Sequence, residues 1–381
     1  MRIAKHADEG SFVSSLCEGA SVVMQEPTAK VSVLCDGFGS LPTGESVQRF
    51  VLENGILSVG LISHGARLAS LWAPDRTGKR ANLILGCETL SGYLNAHDAY
   101  LGATCGRFAN RIAEASIEID GILYPLSANE NGLHTLHGGA LGFDSRVWKA
   151  TTLEDGVRFS LVSEDGDQGF PGTLHAEVTY RLCDGSLRIQ YEYVSDRPTV
   201  ANLTNHAYFN LSGEGSGTIC EHTLSIAARA FLPVDESFLP TGEIAPVENT
   251  IFDFRRAVAM GERLGRNDSQ LQINRGFNHT FVLATQDLPA AVLCCPLTGR
   301  KMTVLTTEPG IHLYTAGFLD GSIHGPSGRP YGKEAGLCLE TQRFPDSPHQ
   351  PQFPSTYLRA GEVYRSETVF EFTTFEFQDE N

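Results

Sequence analysis

Short runs with a two-residue period, punctuated by turn residues, constrain this chain more than anything else in it. "LRIQYEYV" puts Leu187, Ile189, Tyr191 and Tyr193 on one face and Arg188, Gln190 and Glu192 on the other. A strand with one buried face alternates in this way. "SIEIDGILYPL" sets Asp120-Gly121 between two such runs, and that dipeptide suits a two-residue hairpin whose turn needs positive φ. Asp155-Gly156 and Asp184-Gly185 repeat the signal, and "ETVFEFTTFEF" alternates again near the end. Helical periodicity is scarce; "FDFRRAVAMGERLG" is the best short helix candidate and carries no motif. Many short strands between regular turns predict an all-β fold, a sandwich or a barrel. No composition break divides residues 38–381, which read as a single large β domain. Residues 1–37 are small, polar and weakly patterned, and read as an N-terminal extension.

The charge balance narrows the partners. The formal charge is −16, from 29 basic and 45 acidic residues, and no basic run interrupts it. That argues against nucleic acid or an anionic membrane as partner and permits a small neutral substrate. The nine cysteines are odd in number and irregularly spaced, without a C-x-x-C. Free thiols in a reducing compartment fit this better than a disulfide frame or a zinc site. The first residues lack the apolar core of a signal peptide and no stretch approaches a membrane span, so the cytoplasm is the expected location. The sequence sets no oligomeric state.

Five stretches carry candidate chemistry. In "GRFANRIAEA", Asn110-Arg111 stands just before a strand, and an Arg offers a planar fork of donors to oxygen-rich ligands; a salt-bridged surface Arg is the alternative. In "NGLHTLHGGALGF", His137 precedes two glycines that let backbone and ring approach a ligand closely. The same string is like the His-Gly-Gly oxyanion loop of esterases, but no serine here sits in a G-x-S-x-G elbow. His134 and His137 match no established zinc spacing.

"NLTNHAYFNLSG", residues 202–213, reads as a strand with Leu203, Ala207, Phe209 and Leu211 on one face and Asn205 as the polar intruder. Its other face, Asn202, Thr204, His206, Tyr208 and Asn210, is neutral, hydrogen-bonding and centred on a histidine. Such a face either satisfies a structural His206 or floors a cleft. In "AGLCLETQRFPDSPHQPQFP", Glu340 shares a face with Gln342 at a strand end, before a loop with four prolines. A carboxylate held there is a general base or a capped turn acid. "RGFNHTFVL" and "EPGIHLYTAGFLDG" each place a histidine and an amide or aromatic beside a strand.

Taken in order, "GRFANRI", "TLHGG", "NLTNHAYFNL", "PTGEI" and "LETQRFPDSPHQPQFP" resemble the aldose 1-epimerase (galactose mutarotase) family. The resemblance runs from about residue 38 to about residue 372. It implies a large antiparallel β-sandwich with an open sugar cleft, a monosaccharide substrate, and neither cofactor nor metal. It implies His206 as general acid, Glu340 as general base, and Asn110, Arg111 and His137 as sugar-holding residues. The expected reaction removes a proton from the C1 hydroxyl and gives one to the ring oxygen, with carboxylate and imidazolium on opposite sides of the sugar. Ordinary pKa values, about 4.3 for Glu and about 6.5 for His, assign base and acid, and the carboxylate would keep His206 protonated.

Three positions depart from the family pattern. Asn278 stands where Asp is usual, His312 where Gln is usual, and Gly317 where Asn is common. Asn278 and His312 are carried over as sugar-facing positions, Asn278 able to donate and His312 bulkier and able to carry charge, so an altered sugar preference is expected. The rival readings are a non-catalytic sugar sensor on the same fold, a glycoside hydrolase needing a second carboxylate, and a phosphosugar epimerase needing more cations than Arg111 and Arg343.

Overall fold

The computed structural model describes residues 29–284 and 289–376. Its two main sheets have nine and six strands, and every pairing between neighbouring strands is antiparallel. The nine-stranded sheet runs spatially from Lys149–Thr152 through Ser186–Ser195, Val363–Thr374 and Arg300–Thr306 to Val258–Ala259. The six-stranded sheet is centred on Leu337–Gln342, Gly310–Tyr314 and Asn278–Leu283. A third, five-stranded sheet begins with Ser32–Ser40. The largest apolar cluster draws side chains from all three, among them Leu61, Ile189, Phe370, Leu313 and Leu339.

The local signals explain much of this. Leu187, Ile189, Tyr191 and Tyr193 are buried along Ser186–Ser195, as the alternation requires. Ile119 pairs with Ile122 across Asp120-Gly121, whose φ values of 52° and 78° make the expected two-residue turn. Cys183 pairs with Ser186 across Asp184-Gly185. The connection at Asp155-Gly156 is longer, because Thr152 pairs with Val157. The helix signal resolves to Met260–Leu264, and two further short helices, Leu90–Asn95 and Ser269–Asn274, have no clear periodicity.

The expected extension of residues 1–37 is corrected at its end. Ser32–Ser40 pairs with Ser46–Glu53 and opens the five-stranded sheet. It is a mostly exposed edge strand interrupted by Asp36, Gly37 and Gly39, so it lacks the pattern of a strand with one buried face. Residues 1–28 of that segment lie outside the described residues. No helix among the described residues is long and apolar enough to cross a membrane.

Candidate active site

Antiparallel register puts the chemistry on one face of the six-stranded sheet. Glu340 pairs with His312, and His312 with Thr280, so these three side chains form one row. Cys338, Tyr314 and Asn278 form the next row by the same pairing. The opposite face of these strands sends Leu337, Leu339, Ile311, Leu313 and Phe281 into the core. The polar face floors a cavity of about 460 Å³ lined by Asn110, Arg111, His137, His206, Asn278, His312 and Glu340, all seven sequence-predicted site residues.

His206 arrives from a different direction. The stretch 202–213 is two short strands, Thr204–Asn205 paired with Thr104–Cys105 and Tyr208–Phe209 paired with Leu337–Cys338. The break between them is made by Asn205, whose Oδ1 accepts from Ala207 N at 3.2 Å while its Nδ2 donates to Gly102 O at 2.9 Å. A side chain bonding its own backbone two residues on competes with the ladder. The continuous strand expected here is therefore corrected, with Asn205 as the cause. Only His206 and Tyr208 of its polar positions reach the cavity. Asn202 brackets the Arg343 backbone, Thr204 donates to Thr341 O, and Asn210 donates to Ala335 O.

His206 Nε2 lies 3.7 Å from Glu340 Oε1, and both side chains are buried. That gap is too narrow to admit a sugar ring between them, so the two groups do not face each other across a cleft as expected. Burial pushes Glu340 up to about 8, against the pull of the Arg111 guanidinium. Burial pushes His206 down to about 4. Removing water penalises each charged form, and no direct hydrogen bond offsets the penalty at Glu340, whose Oε2 has no partner among the described residues. Both shifts run against the expected imidazolium–carboxylate pair and favour a neutral His206 beside a protonated Glu340.

The remaining residues form a fixed set of donors. Arg111 gives Nε and Nη2 to the two oxygens of Glu130 at 2.7 and 2.5 Å, and its guanidinium stacks 5.0 Å from the Phe238 ring centre. This fork geometry orients the cation and leaves Nη1 without a hydrogen bond among the described residues. His137 Nδ1 accepts from Asn110 N at 3.2 Å, and burial drives its pKa well below the ordinary value. Its ring is thus neutral with the hydrogen on Nε2, a donor. Neither glycine after it lines the cavity: a Cβ on Gly138 would stand 2.0 Å from Gly106 O, and one on Gly139 would meet the Gln168 and Ser127 side chains. His134 Nδ1 accepts from Glu114 N and does not line the cavity.

His312 is also neutral, chiefly through burial, which corrects the expectation that it can carry charge. Its Nε2 is 2.8 Å from Asn278 Oδ1 and its Nδ1 is 2.9 Å from Thr280 Oγ1. With Nε2–H donating, Asn278 has its oxygen engaged and its Nδ2 is left as the donor of its amide. Gly317 does not line the cavity; a Cβ there would meet Arg275 O at 2.5 Å. Arg343 is likewise elsewhere, stacked 3.9 Å over the Tyr364 ring.

The residues that sequence reasoning missed are the walls. Tyr100 packs its ring 4.5 Å from that of His137, and Tyr314, Phe238, Phe318 and Glu130 are also in the lining. Phe238 lies just before "PTGEI", and Tyr314 and Phe318 lie within "EPGIHLYTAGFLDG", so these two strings were the available pointers. Asp98 and Asp320 are exposed at the rim, and Arg111 is the single Lys or Arg in the lining.

Comparison with known proteins agrees with this geometry. The profile of the aldose 1-epimerase family matches residues 48–371. The galactose mutarotase of Sus scrofa is 44% identical over 348 residues, covering 90% of this chain and 99% of that protein. The aldose 1-epimerase of Escherichia coli K12 is 38% identical over 339 residues, covering 87% and 96%. A crystal structure of an aldose epimerase homologue from C. elegans superposes with a TM-score of 0.78 at 33% identity, covering 84% of this chain and 97% of that one. With profile, relatives and fold agreeing over nearly all of the described residues, the chain belongs to the aldose 1-epimerase family, the isomerases that interconvert the α and β anomers of free aldoses.

Proposed function

We propose that Glu340 and His206 exchange protons with the C1 hydroxyl and the ring oxygen of an aldose, Glu340 as base and His206 as acid. The observation that carries this is the 3.7 Å gap between His206 Nε2 and Glu340 Oε1 on the floor of the cavity. The two sugar oxygens share C1, so one edge of the sugar spans both groups. Glu340 takes the hydroxyl proton, electrons move to form the C1 carbonyl, the bond from C1 to the ring oxygen breaks, and His206 protonates that oxygen. Rotation about C1–C2 presents the other aldehyde face, and closure reverses both transfers.

The protonation states set a condition on this reading, because a protonated Glu340 is not a base until its proton has passed to His206. Ring opening begins with the proton on His206 and ends with it on Glu340. The cavity disfavours the charge-separated start and favours the neutral pair that accompanies the open-chain aldehyde. Arg111 and the bound hydroxyls hold the Glu340 carboxylate long enough for opening, and the Nε2–H of His137 steadies oxygen as charge develops.

Asn278 and His312 set the sugar preference on this reading, with Nδ2 of Asn278 offered as a donor where a carboxylate would accept. One cation in the lining and acidic residues at the rim favour an uncharged aldose over a phosphosugar. The relatives named galactose mutarotase make galactose the first sugar to try. Eight free cysteines among the described residues support a reducing, cytoplasmic setting. The test is polarimetry on freshly dissolved α-aldoses with Glu340→Gln and His206→Asn. Each variant is expected to lose about 10²-fold or more in kcat, and a near-wild-type rate in either removes that residue from the mechanism.

A further inference from the structure

Cys338 takes no part in these proton transfers, yet it stands against the groups that do. Its Sγ is 3.5 Å from His206 Nδ1, and it shares a strand face with Glu340. One donor atom from each of His206, Cys338 and Glu340 lies within 4.8 Å of the other two. All three side chains are buried, and Glu340 Oε2 has no partner among the described residues. A tetrahedral ion with sulfur at about 2.3 Å and nitrogen at about 2.0 Å holds those donors about 3.5 Å apart. Cys338 and His206 already have that spacing. Thiolate, imidazole and carboxylate together suit a borderline-soft divalent ion and suit Mg²⁺ or Ca²⁺ poorly.

We propose that His206, Cys338 and Glu340 form an inhibitory site for a divalent cation of the zinc type, which occupies the proton-transfer pair and switches mutarotation off reversibly. The inhibition rests on the catalytic reading of His206 and Glu340; the binding does not. Cys338 stands against Nδ1 and Glu340 against Nε2, and a cation takes one nitrogen of the ring, so closing the set requires these side chains to shift. The Cys338 thiol and the Glu340 carboxyl both yield their protons to solvent as the metal–sulfur and metal–oxygen bonds form, and water fills the fourth position.

The experiment titrates metal-free full-length enzyme with Zn²⁺ and, separately, Mg²⁺ during mutarotation, and records the absorption spectrum with Co²⁺. Zinc is expected to inhibit and a chelator to restore activity, with Mg²⁺ inert. Cys338→Ser is expected to raise the half-inhibiting zinc concentration about 10-fold or more. Bound Co²⁺ is expected to show a near-ultraviolet sulfur-to-cobalt band that Cys338→Ser lacks. Glu340→Gln supplies a second variant with weakened cobalt binding if Cys338→Ser does not fold. An unchanged zinc midpoint in Cys338→Ser, or a band that survives the substitution, overturns the site. A normal mutarotation rate in His206→Asn overturns the catalytic reading instead, and leaves the cobalt band to report on the metal site alone.

Discussion

Changing the pH separates the buried pair from two ordinary side chains. The working form carries one proton across Glu340 and His206. As pH falls through about 4, His206 gains a proton while Glu340 keeps its own, and no base remains. As pH rises through about 8, Glu340 loses its proton while His206 is neutral, and no acid remains. Unperturbed groups would put these limbs at about 4.3 and about 6.5. The contrast is largest near neutrality. At pH of about 7.5 an alkaline limb at about 8 leaves roughly three quarters of the enzyme in the one-proton form, against roughly one tenth for a limb at about 6.5. The assay is kcat/KM for a freshly dissolved α-aldose by polarimetry, with the spontaneous rate subtracted at each pH. Because kcat/KM reports the free enzyme, the limbs belong to the pair as a unit before substrate binds. A plateau through neutrality is expected. A steep loss between about pH 6 and 7 would refute the burial reasoning, because solvated groups behave that way.

Three substitutions probe other parts of the site. Glu130→Gln removes the counter-charge of Arg111; KM should rise several-fold, and the alkaline limb should move below about 8 because a freed guanidinium pulls harder on the Glu340 proton, whereas an unchanged KM and limb would make the ion pair irrelevant to the cavity. Asn278→Asp alone leaves its new carboxylate tied to His312, while Asn278→Asp with His312→Gln frees it, so only the double variant should gain activity on glucose and galactose; a well-folded double variant without gain counts against the specificity assignment. Gly138→Ala forces a Cβ against Gly106 O at φ 90°, and urea unfolding should show a loss of about 3 kcal/mol or more, which a wild-type midpoint would contradict.

Strand content was legible where one face is buried and the other wet, as along Ser186–Ser195. It was illegible at Ser32–Ser40, which shows most of both faces to solvent. The seven polar site residues were legible because a carboxylate, a fork of donors and imidazoles stood beside strand ends, and because five motifs resembled one family. Their protonation was not, since the shifts at Glu340 and His206 come from packing by distant segments. The cavity walls were missed for a related reason: Tyr100, Phe238 and Phe318 are aromatics in loops, and only tertiary contact distinguishes a wall from a core residue. Asn205 was visible as an intruder in its alternation, but a hydrogen bond to Ala207 gives it a meaning that periodicity lacks.

The strand Val363–Thr374 follows every other described strand yet lies inside the nine-stranded sheet, between Ser186–Ser195 and Arg300–Thr306. A ribosome therefore delivers the central member of that sheet after both of its flanks. Until then each flank presents an open row of amide and carbonyl groups, which is where other chains can dock. Closing the sheet joins Ser186–Ser195 to residues about 180 positions later, a slow step by topology alone. The nascent protein thus depends on guarding two unfinished edges until Val363–Thr374 emerges, and a message truncated before Val363 would yield a product prone to self-association, however complete its candidate site.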